Sequence, residues 1–208
     1  MAVFNINEMT DMQFDVLKEI GNIGAGNAVT SLAQMMGMRI DMGVPHVSLV
    51  PMESVARVIG SEETIVAGII LGLEGDVNGM MMMLLPEASA HKIVDTMLGG
   101  MTEDGGESGF GPMAMSVLGE IGNIIAGSYL SALSTLTGLT VTATVPGITI
   151  DMAGAMLSVP AIEYGKIGDK VLLIETALGE EDFLDGYIVM VPDVESYGKI
   201  LASLGIEF

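Results

Sequence analysis

Residues 15–26 read DVLKEIGNIGAG, and residues 116–127 read SVLGEIGNIIAG. Whether these stretches are helices or loops, and why one text occurs twice, decides the fold. DVLKE and SVLGE carry a helical apolar spacing, yet three glycines follow in the first copy, at 21, 24 and 26. Each glycine costs a helix interior about 1 kcal/mol relative to alanine. A phosphate-cradling loop is a poor reading, because no Gly-Lys-Ser/Thr is present and the glycines follow the helical stretch instead of preceding it. A working helix that needs its glycines for close approach fits better.

The repeat extends well beyond the glycines. An offset of 101 also carries Leu32 to Leu133, Gly37 to Gly138, Val44 to Val145 and Pro45 to Pro146. Residues 15–45 and 116–146 share 13 identities in 31 ungapped positions, which chance does not produce. Further along, 79–100 and 186–205 share a looser grammar of Gly, apolar run, Pro, acidic residue and a helix-like pattern closed by Gly. Pro86 and Pro192 read as strand terminators, Gly99 and Gly205 as helix caps.

Each half is therefore expected to hold a long helix, a strand running through the matched Pro, further strands and a short helix. The expected strands are 38–50, 64–73 and 78–85, then 139–151, 155–163, 170–178 and 186–191, with 104–112 as a polar junction. The expected fold is α+β with internal pseudo-twofold symmetry. It is a single domain over 1–208, built of repeats 1–103 and 104–208, whose small size favours one shared sheet.

Composition bounds the function. Seven basic and 27 acidic residues give a net charge of −20, which argues against nucleic acid and against an anionic membrane surface, and favours a partner with an exposed lysine. There is no cysteine, so disulfide and thiolate chemistry are out. The first 15 residues lack the basic and apolar regions of a signal peptide. GMMMMLL (79–85) is too short to span a bilayer, and Asp151 interrupts the stretch 145–162. A cytoplasmic location is expected. The 19 methionines read mainly as core filling.

On a helical wheel Asp15, Glu19, Asn22 and Gly26 fall within about 60° of one another. Ser116, Glu120, Asn123 and Gly127 form the same stripe in the second copy. Leu17, Ile20, Gly24 and Ala28, with Leu118, Ile121, Ile125 and Tyr129, lie opposite and form the expected core face. A Glu–Asn pair alone is ordinary solvated helix surface. A packing repeat, however, would preserve the core face and let the polar face drift, whereas here the polar face is preserved too. Asparagine cannot accept a proton at neutral pH but can orient a water, and glutamate can act as base, metal ligand or ion-pair partner. Neither copy has His, Cys or Lys at matching positions beside the pair, so a nucleophile–base dyad or metal site is poorly supported. His46 and His91, the only histidines, read as surface or satisfied side chains. The site looks incomplete unless a partner supplies the remainder.

The spacing Asp/Ser-x3-Glu-x2-Asn-x22-Pro resembles that of the CheC/CheX/FliY family of chemotaxis phosphatases. It occurs twice, as Asp15, Glu19, Asn22, Pro45 and as Ser116, Glu120, Asn123, Pro146. The resemblance implies a CheC-like shared sheet with two long active-site helices. It further implies an aspartyl-phosphate phosphatase acting on the phosphorylated response regulator CheY. Asn22 and Asn123 would orient the attacking water, Glu19 and Glu120 would dock on the regulator's lysine, and Pro45 and Pro146 would shape the strand beside the site. Gly26 and Gly127 would leave room for the partner's backbone. No cofactor of its own is implied, Mg2+ being supplied in the bound regulator, and a second partner is implied in the receptor deamidase CheD. The rival expectation is a non-enzymatic adaptor binding CheY-phosphate and CheD. The intact Glu and Asn in both copies favour the enzyme.

Overall fold

The computed structural model describes residues 9–40, 45–100, 105–106, 109–164, 170–178 and 184–206. Residues 41–44 of the first expected strand, and 104, 107 and 108 of the junction, lie outside it. The two glycine-bearing stretches are helices. α1 (Asp11–Met36) and α4 (Pro112–Thr137) have 26 residues each and lie at the same offset of 101. Thr10 caps α1 through a capping box with Gln13, its hydroxyl accepting from the Gln13 N–H at 3.3 Å. Pro112 opens α4 at a position where a missing N–H costs nothing. Both helices stop at glycines in the left-handed region, Gly37 (φ 62°) and Gly138 (φ 72°).

The remaining elements are β1 (His46–Pro51), α2 (Met52–Ile59), β2 (Ile65–Gly75), β3 (Gly79–Pro86) and α3 (Glu87–Leu98). After α4 come β4 (Val141–Ala143), β5 (Gly147–Met152), α5 (Ala153–Tyr164), β6 (Lys170–Leu178), β7 (Leu184–Pro192) and α6 (Val194–Ser203). One antiparallel seven-stranded sheet runs in the order β1-β6-β7-β3-β2-β4, with β5 also paired to β2. The α+β class and the shared sheet are as expected.

The register makes the symmetry explicit. β3 and β7 pair at the centre, with Met82 opposite Val189 and Met83 opposite Ile188. An offset of 106, which carries Pro86 to Pro192 and Gly99 to Gly205, maps this ladder onto itself. The pseudo-twofold axis thus pierces the sheet between β3 and β7, and it relates α1 to an antiparallel α4 on one face. The outer strands are exchanged between halves: β1 pairs with β6 of the second half, and β5 pairs with β2 of the first.

Both faces of the sheet are covered. Met81, Met83 and Leu85 of β3 point into a core shared with α1, α3, α4 and α6. Met80, Met82 and Leu84 point into a second core under α2 and α5. That is why β3 is an unbroken apolar run where a one-sided antiparallel strand would alternate. Each such side chain contributes about 1.5–3 kcal/mol on burial. α4 is long and apolar enough to cross a membrane, but half of the qualifying window is buried inside the protein, as a core helix requires.

Three expectations need correction. Residues 155–163 are not a strand but part of α5, with Pro160 inside the helix. Its buried residues Ala153, Met156, Leu157 and Pro160 follow a helical i, i+3, i+4, i+7 spacing. The same spacing at offset 101, Met52, Val55, Ala56 and Ile59, forms α2, a helix the strand-based reading of the first half omits. Finally, neither matched Pro lies within a strand. Pro45 and Pro146 immediately precede β1 and β5, because a residue without N–H cannot donate to the ladder.

The long helices are antiparallel neighbours, and Gly24 of α1 receives the ring of Tyr129 of α4. A Cβ on residue 24 would lie 2.7 Å from the Tyr129 Cγ. Tyr129 is 1% exposed, and burial drives its phenol pKa well above the ordinary value of 10.0. Gly24→Ala should therefore lower stability by about 1–2 kcal/mol, since overpacking of 1–3 kcal/mol outweighs the gain in helix propensity. The urea midpoint of the variant measures it.

Candidate functional site

Glycine also sets the height of each helix above the sheet. A Cβ on Gly21 would meet the Val47 Cγ2 at 2.9 Å and the Ile174 Cδ1 at 3.5 Å. A Cβ on Gly122, its repeat partner, would meet the Ile69 Cγ2 at 2.6 Å, and one on Gly119 the Ile148 Cδ1 at 3.1 Å. Val47 and Ile148 are repeat partners, as are Ile174 and Ile69 by their places in the exchanged ladders. The glycine between Glu and Asn in each EIGN is thus a seat for the helix. Seating this face fixes the opposite one outward.

That outward face carries the predicted stripes. Asp15 and Glu19 are exposed, and Asn22 and Gly26 are half-buried. Ser116, Glu120, Asn123 and Gly127 are all exposed. The predicted core face is buried throughout, from Leu17, Ile20, Gly24 and Ala28 to Leu118, Ile121, Ile125 and Tyr129. Pro45 is buried at the foot of β1 and Pro146 is half-buried before β5.

The two copies differ in detail. The Asn22 side-chain oxygen is shielded from solvent and has no hydrogen-bond partner among the described residues. Such an unused acceptor costs about 1–3 kcal/mol, a debt that an arriving donor removes. Asn123 is exposed and carries no such cost. Neither Glu19 nor Glu120 is paired with a cation among the described residues, so both carboxylates remain open to an incoming ammonium or guanidinium.

A pocket of about 600 Å³, open solvent included, lies between α1, α3, α4 and the β6–β7 hairpin. Its walls are mostly aliphatic, including Ala28, Leu32, Ile93 and Ile125, with Thr176, Asp185 and Tyr187 among the remainder, and it contains no residue of either stripe. Among the described residues no three His, Cys, Asp or Glu side chains cluster to hold a metal. The arrangement offers a positioned amide and a free carboxylate on a convex helix surface, repeated by the twofold. It suits a reaction whose nucleophile, charge and electrophile come from another molecule.

Two further residues share the outward face but lie outside the stripes as drawn from the sequence. Met12 and Met113, related by the offset of 101, are 68% and 46% exposed. Their signal was the same repeat, one turn earlier.

Gly26 and Gly127 have nothing within 4 Å of where a Cβ would be. Unlike Gly21, Gly24 and Gly122, they pack against no other element among the described residues. Gly26→Ala and Gly127→Ala should each raise stability by about 1 kcal/mol, the helix propensity difference. Chemical denaturation of the two variants checks this, with Gly24→Ala as the opposite control.

Comparison with known proteins agrees with this geometry. The CheC-like family model matches residues 12–49 and 113–150, the same segment at both ends of the 101-residue offset. The CheY-P phosphatase CheC of Bacillus subtilis is 34% identical over 208 residues, covering 99% of each chain. Among solved structures, FliY of Thermotoga maritima superposes with a TM-score of 0.70 at 22% identity, covering 95% of this chain and 98% of that one. CheX in the CheX–CheY–BeF3–Mg2+ complex from Borrelia burgdorferi gives 0.53 at 21% identity, covering 86% and 99%.

Proposed function

The chain belongs to the CheC-like family, and on that premise we propose that it is a phosphatase removing the aspartyl-phosphate of the chemotaxis response regulator CheY. The observation that carries the reading is the Glu–Asn pair presented outward from the middle of both long helices, while Gly21 and Gly122 seat the opposite faces on the sheet. The B. subtilis relative named as a CheY-P phosphatase aligns over the whole chain and supports it.

In this mechanism the regulator brings the phosphoryl group, its Mg2+ and a lysine. Glu19 or Glu120 pairs with that lysine and fixes the docking angle. Asn22 or Asn123 then enters the regulator's site and holds a water in line with the phosphorus. The water oxygen bonds to phosphorus, the phosphorus–oxygen bond to the aspartate breaks, and carboxylate and inorganic phosphate are the products. The amide takes no proton, which leaves with the phosphate and solvent. Its contribution is position, the role a water-orienting glutamine has in nucleotide hydrolysis. The Asn22 oxygen has no hydrogen-bond partner among the described residues and is shielded from solvent, so the side chain turns outward to meet that water. In the same reading the CheD deamidase binds elsewhere on the chain and raises the activity.

Decay of labelled phospho-CheY, measured alone, with this protein and then with CheD, tests the function. The enzyme reading expects accelerated phosphate release that CheD increases; binding without acceleration would leave an adaptor. Asn22→Ala with Asn123→Ala should abolish the acceleration with no change in the far-ultraviolet circular dichroism, and full activity in that double variant would sink the mechanism. Glu19→Lys with Glu120→Lys should weaken regulator binding most at low salt, with the difference from wild type shrinking as ionic strength rises. Titrations of affinity at two salt concentrations read it directly.

A further inference from the structure

We propose that Met12 and Met113 are apolar anchors that seat the phosphorylated response regulator at the outer end of each Glu–Asn stripe, an inference that rests on the phosphatase reading above. Both methionines occupy the first turn of their helix, at equivalent places in the repeat. On the helical wheel Met12 lies about 20° from Glu19, so it extends the stripe that the regulator meets. With a rise of about 1.5 Å per residue, Met12 sits roughly 10 Å along the axis from Glu19 and roughly 15 Å from Asn22. One regulator surface spans that distance within an interface of ordinary size.

Exposures of 68% and 46% remove most of the benefit of core burial. Lysine, glutamine or glutamate would serve the helix as well without exposing a thioether. The other exposed large apolar residues are Met38, Ile65, Val145, Met152 and Ile162. Among the described residues Met12 and Met113 are the pair in which both repeat-related positions carry such a residue. A feature kept in both halves, exposed in both and aligned with the functional stripe in both is accounted for by a surface that covers it.

The chemistry of that surface follows from the surroundings. Asp11, Asp15 and Glu19 edge the first anchor, and Glu120 lies beyond the second. A complementary partner presents an apolar patch bordered by cations, so the lysine that pairs with Glu19 or Glu120 stands at the edge of a dry contact. Methionine's unbranched, polarisable side chain adapts to such a patch with little steric demand. The anchor adds affinity without touching the reacting atoms, so it acts on KM and leaves kcat alone.

The test is steady-state hydrolysis of phospho-CheY by Met12→Gln/Met113→Gln, which keeps side-chain length and helix propensity. The expected result is a KM raised about tenfold, as loss of a buried apolar side chain implies, with kcat within about twofold of wild type. Met12→Leu/Met113→Leu should restore KM. Met12→Gln in an Asn123→Ala background, and Met113→Gln in an Asn22→Ala background, should each raise KM for the surviving site. An unchanged KM in the double Gln variant, beside a wild type that accelerates decay, would overturn the anchors and leave the phosphatase reading standing. A fall in kcat at constant KM would overturn them equally. Absence of acceleration by the wild type would bring down the phosphatase reading and the anchors with it. Matching circular dichroism and urea midpoints separate a docking loss from unfolding.

Discussion

Contacts between two glycines and branched side chains set the height at which the long helices ride over the sheet. Gly21 rests on Val47 and Ile174, and Gly122 rests on Ile69. Because the outer strands are exchanged, each seat lies over strands of both halves: α1 over β1 and β6, α4 over β5 and β2. The helix cannot rotate without driving its backbone into the sheet or lifting its core face into water. Rotation is what would hide Asn22 or Asn123. The glycines that weaken the helices in isolation are therefore what makes their outer faces unambiguous. The two helices also fit each other by contrast of size, with Gly24 and Ala28 on α1 against Ile125 and Tyr129 on α4. Exact symmetry would give two small or two large surfaces at the crossing, so the repeat departs from identity where the halves touch.

The chemistry of the site is sparse because most of it is expected from another molecule. A carboxylate with no cation among the described residues and an amide that transfers no proton are inert toward free solutes, and the largely apolar pocket contains no residue of either stripe. Such a surface acquires activity only when a shaped partner completes it, which makes selectivity a property of docking. A net charge of −20 assists by favouring a cationic approach and discouraging nucleic acid. The two copies are not equal, since Asn22 is half-buried with an unused acceptor and Asn123 is exposed.

Much of this was legible before any coordinates. Both long helices, their core faces and the Glu–Asn stripes follow from period, spacing and an unusually clear duplication. β2, β3, β6 and β7 follow from apolar runs ended by Pro or Gly. α2 and α5 were missed because short apolar stretches do not separate strand from helix, and Pro160 argued against a helix on local grounds. The repeat held the remedy, since residues 52, 55, 56 and 59 recur as 153, 156, 157 and 160, buried at every position but the half-buried Met52. Strand exchange had no local signal, because pairing partners 77 to 129 residues apart are chosen by tertiary packing and not by neighbouring text. The stripe could be drawn from sequence, but the unequal burial of Asn22 and Asn123 could not. Met12 and Met113 escaped notice because an apolar residue in an apolar protein draws attention only once its exposure is seen.

The exchanged strands also bear on how the chain is made. On the ribosome the first repeat emerges with β1 complete, yet the strand it must join, β6, begins at Lys170. Until then one edge of the nascent sheet has no neighbour, and β2 likewise waits for β5. Neither repeat can close upon itself during synthesis, so final closure is post-translational or nearly so, and the early product is an open edge of the kind that invites pairing with another chain. If the repeats descend from one ancestral unit, two separate copies of it would have had to trade strands to bury the same surface. A chain severed at the link between halves would face that requirement again, assembling as two intertwined pieces or not at all.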